Sequence, residues 1–245
     1  MSSSTKRMRI FAGPNGSGKS TIIYDIKKNF YSGFYLNADD IQKACSEKGF
    51  INLGDYQLNI RTTAFEEYLS TSSLREKSEK DGYQVDLKLQ NNVITTGKST
   101  HAYEAALIAE FLRQQLISAG HSFSFETVMS HVSKLEILKQ ALDAGYRNYL
   151  YFIATDSVQI NIDRVKERVR KGGHNVDEDK IIERYSRSLD LLSSVIPYTY
   201  RTFLIDNSRL SYRLIAEFER DKMLIHDQDI PNWLRIYVLE KMQLL

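Results

Sequence analysis

The residues most able to do chemistry lie between positions 11 and 21, Phe-Ala-Gly-Pro-Asn-Gly-Ser-Gly-Lys-Ser-Thr. From Gly13 this run fits G-x-x-x-x-G-K-[ST] at every fixed position. Gly13, Gly16 and Gly18 let the backbone curl until successive N–H groups aim at one anion. Pro14, Asn15 and Ser17 fill the variable positions of that loop. Lys19 can reach the outer phosphates as a mobile charge. The Ser20 hydroxyl can hold Mg²⁺, and Thr21 opens a helix whose positive dipole end adds to the cradle. The motif requires a strand before it and a helix after it. Met8 to Ala12 reads as a short buried strand, and Thr21 to Phe30 as a helix with Ile22, Ile23 and Ile26 on its apolar face. A chain with this element is expected to bind a nucleotide phosphate.

Acids follow at two further strand ends. Phe34-Tyr35-Leu36 runs into Asn37-Ala38-Asp39-Asp40 and a helix from Ile41 to Lys48; Ser122 to Phe125 alternates like a strand and ends at Glu126-Thr127. In parallel α/β sheets the carboxyl ends of strands are where ligands bind. Asp39 and Asp40 each read as a helix cap. One cap suffices, so the other acid is free to act as a general base toward a hydroxyl. Glu126 reads equally as a cap. Arg164, Lys166, Arg168, Arg170 and Lys171 make one helix end basic. Gly172-Gly173-His174 breaks it, and a second helix, 179–192, carries Arg184 and Arg187. Five cations exceed what a helix dipole needs. A phosphate-closing lid over about 164–187 is expected, with His174 as hinge or cap.

Further strands are expected at 148–154 and 202–205, a strong helix at 102–118, a terminal hairpin at 214–218 and 223–225, and a last helix from Pro231 to Met242 seated by Trp233. The rhythm is β-α-β-α-insert-α-β-α-β-α-α-β. It predicts an α/β fold: one domain over 1–245, three-layered, with a mostly parallel five-stranded sheet. The segment at about 49–100 interrupts the rhythm and reads as an inserted helical subdomain, a lid over the acceptor.

Composition sets limits. With 33 Lys+Arg against 31 Asp+Glu the net charge is +2, which argues against general nucleic-acid binding. Cys45 is the single cysteine, so an internal disulfide framework and a cysteine zinc site are excluded. No apolar run approaches a membrane span and the first residues lack a signal-peptide core, so a cytoplasmic protein is expected. Among phosphate-loop reactions, a GTPase would show Asn-Lys-x-Asp, which is absent. A motor ATPase would show an apolar strand ending in an acid, for which Asp206 and Asp156 are weak candidates. A small-molecule kinase needs loop, base and lid arginines, and all three are offered.

The stretches 13–21, Leu-Asn-Ala-Asp-Asp-Ile (36–41), Phe-Glu-Thr-Val-Met-Ser (125–130), Glu-Arg-Val-Arg-Lys-Gly-Gly-His (167–174) and Glu-Arg-Tyr-Ser-Arg-Ser-Leu (183–189) together resemble the zeta-toxin family of phosphate-loop kinases, in its chromosomal branch. The resemblance implies ATP and Mg²⁺ as cofactors and a hydroxyl of a small nucleotide-sugar-like acceptor as target. UDP-N-acetylglucosamine is the first candidate, and a nucleoside or dinucleotide the runner-up. A P-loop ATPase acting on a macromolecule is the alternative. By the same resemblance Asp39 is the catalytic base, Arg168 and Arg184 grip the transferred phosphate, and Asp40, Glu110, Glu126 and Thr127 fall on the acceptor side. The acidic turn reads Asn-Ala-Asp-Asp where the toxins have Asp-Asn-Asp-Thr, which alters that side. An antitoxin protein is the partner the family brings with it, although members of this branch often lack a recognised one.

Overall fold

The computed structural model describes residues 5–29, 33–97, 100–173, 175–220 and 222–244, so His174 and Phe30 lie outside the described residues. In chain order the elements are β1 (Arg7–Ala12), α1 (Lys19–Asn29), β2 (Phe34–Leu36), α2 (Ala38–Lys48), β3 (Phe50–Asn52), α3 (Thr62–Thr71), α4 (Ser73–Lys80), β4 (Leu87–Gln90), β5 (Val93–Thr96), α5 (Ala102–Ser118), β6 (Phe123–Thr127), α6 (Ser133–Asp143), β7 (Arg147–Ala154), α7 (Val158–Arg170), α8 (Glu178–Val195), β8 (Arg201–Asp206), β9 (Arg213–Glu219) and β10 (Lys222–Ile225). They fall into two compact units, 1–32 with 124–245, and 33–123.

In the first unit the strands run β10-β9-β8-β7-β1-β6. β1 pairs parallel with β7, and β7 parallel with β8. One face is uniformly buried: Met8, Ile10 and Ala12 lie beside Leu150, Phe152 and Leu204, all at 2% exposure or less. On the other face Phe11, Tyr151 and Phe203 stack in a row, with centroids 5.0 and 4.7 Å apart. Beyond them Ile153 and Ile205 pack under Ile22 of α1. All five expected strands are present as strands. The sheet extends past five because the terminal hairpin joins it: β9 runs antiparallel to β8, with a register shift at Leu204/Ile205, and β10 antiparallel to β9. Residues 215–218 are buried, so this hairpin completes the core rather than decorating it.

The last expected helix is a short α turn, Asn232–Leu234, followed by a π-helical turn, Arg235–Glu240. Trp233 anchors it. The ring is 2% exposed, and its Nε1–H donates to Asp206 Oδ1 at 3.0 Å. Asp206, itself 1% exposed, also accepts from Ser208 Oγ at 2.7 Å and lies 3.6 Å from Arg213. Removing one donor from a buried carboxylate costs about 1–3 kcal/mol. Trp233→Phe should therefore lower the urea unfolding midpoint by that equivalent; an unchanged midpoint would show that Ser208 and Arg213 satisfy Asp206 alone.

The second unit holds β2 and the segment expected to be a helical insertion. Helices α3 and α4 are there, but so is an antiparallel sheet, β3-β5-β4. The reason is local. Leu87 and Leu89 are buried while Lys88 and Gln90 are exposed, a period of two. Asn91 and Asn92 adopt φ of 50° and 63°, as a two-residue hairpin turn requires. α5 packs on α2, and its entry is a capping box in which Glu104 accepts from the His101 N–H at 3.0 Å.

Candidate functional site

β1 delivers the chain to the phosphate loop and α1 leaves it, as the motif demands. Gly16 and Gly18 have φ of 79° and 90°. A Cβ at Gly16 would lie 2.4 Å from Asn161 O, and one at Gly18 would lie 2.2 Å from Asn207 Nδ2. Lys19 is 7% exposed, and its ammonium donates to the carbonyls of Gly13 and Pro14, each at 2.9 Å. It therefore arches over the loop's own rim. Two polar atoms of the loop, Asn15 Oδ1 and Ser17 Oγ, are buried with no hydrogen-bond partner among the described residues.

Glu126 is the penultimate residue of β6, the strand next to β1. Its carboxylate stands 3.9 Å from Lys19 Nζ, and 3.4 and 3.5 Å from Ser20 Oγ. This is where a phosphate-loop enzyme needs the acid that faces its metal-holding hydroxyl. The resemblance had placed Glu126 among acceptor-side acids; the structure sets it against the loop. Thr127, its neighbour, accepts from the Met129 N–H at 3.2 Å and shapes the turn in which Met129 has φ of 57°. The two weak metal-acid candidates are engaged elsewhere. Asp206 holds Trp233, Ser208 and Arg213, and Asp156 Oδ1 accepts from Trp233 N at 3.4 Å. A hydroxyl and a carboxylate suit Mg²⁺, which takes few protein ligands and completes its shell with phosphate oxygens and water; the backbone N–H groups of the loop are donors for the phosphates themselves.

The basic helix end resolves into two kinds of cation. Lys166 pairs with Glu178 at 2.9 Å, Arg170 and Lys171 with Glu167 at 3.4 and 3.3 Å, and Arg187 with Glu183 at 2.8 Å, all exposed pairs. Arg164 and Arg184 make no described ion pair. Both are partly buried, and Arg164 Nη1 is buried with no hydrogen-bond partner among the described residues. Arg164 lies one turn beyond Asn161, whose Nδ2 donates to Asn15 O at 2.6 Å. α8 is tied to the same corner. Tyr185, next to Arg184, donates to Thr155 O at 2.6 Å, and the Thr155 hydroxyl donates to Asn161 Oδ1. α7 and α8 pack through Ile162, Val165 and Ile181. Arg168 is exposed, beside Gly173. Arg164 was one name in a basic list; its position three residues after a loop-contacting asparagine could be read only once that contact was known.

Asp39, Asp40 and Glu110 belong to the second unit. α2 begins at Ala38, earlier than expected. Its N-cap is Asn37, whose Oδ1 accepts from Asp39 N at 2.8 Å. Neither aspartate is the cap, which corrects that reading of both. Asp39 and Asp40 occupy the first turn, exposed, and their carboxylates make no described hydrogen bond or ion pair. Glu110 lines a cavity of about 430 Å³ with Ala64, Tyr68, Ser72 and Gln114. Burial, and then the charge of Glu110, push the Tyr68 phenol above its ordinary pKa.

A family model, zeta toxin, matches residues 85–196, a range that leaves the phosphate loop outside it. A stretch of 63 residues is 36% identical to an uncharacterised protein of Haemophilus influenzae, covering 26% of this chain and 45% of that one. Among solved structures, the complex of AvrRxo1-ORF1 with AvrRxo1-ORF2 bearing sulphate ions matches with TM-score 0.60 at 12% identity, over 96% of this chain. The same complex with ATP gives the same values. This chain spans 64% of the length of those structures, and the likeness is one of fold. No helix among the described residues is long and apolar enough to cross a membrane. A segment, residues 85–196, is thus similar to zeta toxin, on a chain with a P-loop kinase-like fold.

Proposed function

We propose that this protein transfers the γ-phosphoryl group of ATP to a hydroxyl of a small acceptor. The observation that carries the reading is the cluster of Lys19, Ser20 and Glu126 at the mouth of a phosphate loop. Mg-ATP would supply the electrophilic phosphoryl group and a divalent charge to balance its phosphates. The chain supplies the rest. The loop's N–H groups and Lys19 hold the phosphates, while Ser20 and Glu126 hold the metal side. Arg164, one turn along α7 from Asn161, and Arg184, next to Tyr185 on α8, serve as donors for the charge that spreads onto the moving phosphoryl oxygens. Asp39 accepts the proton of the attacking hydroxyl; Asp40 and the cavity beside Glu110 serve acceptor binding. Arg168 is the outer member of the arginine set. UDP-N-acetylglucosamine is the first acceptor to try, with nucleoside and dinucleotide hydroxyls next. The solved complexes pair AvrRxo1-ORF1 with a second protein, ORF2, and a neutralising protein partner is the corresponding expectation for this chain.

The test is direct. The full chain, ATP and Mg²⁺ are incubated with UDP-N-acetylglucosamine and, separately, with a metabolite extract, and the mixtures are read by mass spectrometry. A product heavier than its precursor by one phosphoryl group, absent with Lys19→Ala, is the expected result. ATP hydrolysis with no phosphorylated acceptor in either mixture overturns the kinase reading.

A further inference from the structure

Two asparagines, 46 positions apart in the sequence, grip the phosphate loop by its carbonyls. From α7, buried Asn161 donates to Asn15 O at 2.6 Å. From the end of β8, Asn207 donates to Ser17 O at 2.8 Å. Each is itself fixed. The Thr155 hydroxyl holds Asn161 Oδ1, and the Asn207 N–H donates to Ala154 O at 2.8 Å. On either side of Asn207, Asp206 is locked by Trp233, and Ser208 Oγ accepts from Asp156 N at 2.8 Å.

A trans peptide points its C=O and the following N–H in opposite directions. Pulling Asn15 O outward therefore turns the Gly16 N–H toward the loop's concave side. Pulling Ser17 O outward does the same for the Gly18 N–H. Successive inward N–H groups are what make such a loop an anion cradle. The close approach also accounts for glycine at 16 and 18, since a side chain at either would collide with the asparagine beside it.

We propose that Asn161 and Asn207 are positioning residues for phosphate binding: each fixes one peptide plane of the loop without touching the nucleotide. The inference rests on the nucleotide reading above.

The test uses the full-length protein and compares Asn207→Ala with the isosteric Asn207→Asp. Calorimetry measures affinity for ATP and for pyrophosphate, which engages the loop without a base. The Ala variant should weaken both ligands about fivefold. The Asp variant should weaken them at least about tenfold, because it sets an acceptor against the Ser17 carbonyl. This order should persist at high salt, where plain repulsion of the phosphates is screened. A packing role predicts the reverse order, with the isostere near wild type, and that result overturns the proposal. So does binding of both ligands within threefold of wild type by both variants. Asn161→Asp, carrying the same change on the opposite side of the loop, must show the same loss. If the wild type binds ATP no better than Lys19→Ala does, the nucleotide reading falls and takes this proposal with it. If Lys19→Ala alone loses ATP, only the proposal falls.

Discussion

Asp39→Asn is expected to lower phosphoryl transfer by about 10²–10⁴-fold while ATP binding stays within threefold of wild type. That range is what loss of a positioned general base costs. The structure removes capping as the explanation for an acid at this turn. Asn37 caps α2, so Asp39 is not needed to start the helix. Its carboxylate is exposed and makes no described hydrogen bond or ion pair, which leaves the helix dipole, worth about 0.3–1 kcal/mol and shared with Asp40, as its structural use. Asn is isosteric with Asp and is tolerated in a first helical turn, so the variant should fold as the wild type does. Asp40→Asn is the control on the same turn. It shares the exposure but is assigned to acceptor binding rather than to proton transfer, so its turnover at saturating acceptor should stay within about tenfold of wild type. Steady-state transfer to the acceptor found by mass spectrometry measures both. Near-wild-type turnover by Asp39→Asn would end its assignment as base; a large loss in Asp40→Asn alone would move the assignment one residue on.

What the sequence made legible follows the range of the physics involved. The phosphate loop is written in consecutive residues because its chemistry is local: glycines, lysine and hydroxyl act within one turn of chain. α5 appears with its expected bounds, 102–118, because an unbroken apolar stripe and a following glycine define it without outside help. The β4–β5 hairpin is local in the same way. Its alternation of Leu87, Lys88, Leu89 and Gln90 and its Asn-Asn turn carry the signal, within a segment whose expectation is a helical subdomain. Other features need the fold. Asn37 outcompetes two aspartates as cap because its side chain meets the Asp39 N–H, and the two residue types are equally good caps on paper. Glu126 is opposite Ser20 only because β6 lies beside β1, over a hundred residues away in sequence. Asp206 resembles a metal-holding acid until Trp233 is found donating to it.

The arginines test that difference most sharply. Arg164→Ala and Arg184→Ala are each expected to cut turnover by about 10²–10³-fold, the usual loss for a donor aimed at transition-state charge. ATP affinity should change much less, as it does for contacts made mainly in the transition state. Geometry orders the set. With Asn161 against the loop, a rise of 1.5 Å per residue places Arg164 about 4.5 Å further along α7 and Arg168 about 10.5 Å further. Arg164 is also the arginine of α7 that keeps a guanidinium nitrogen buried without a described partner, an arrangement that is costly unless an anion relieves it. Arg168 is exposed at the far end. Its alanine variant should lose less than Arg164→Ala, the reverse of what motif spacing alone implies. Single-turnover transfer, with ATP affinity measured separately, ranks the three. If Arg168→Ala proves the most damaging while Arg164→Ala transfers at the wild-type rate, α7 must turn its outer end onto the nucleotide, and the contact of Asn161 with Asn15 would have to break during the reaction.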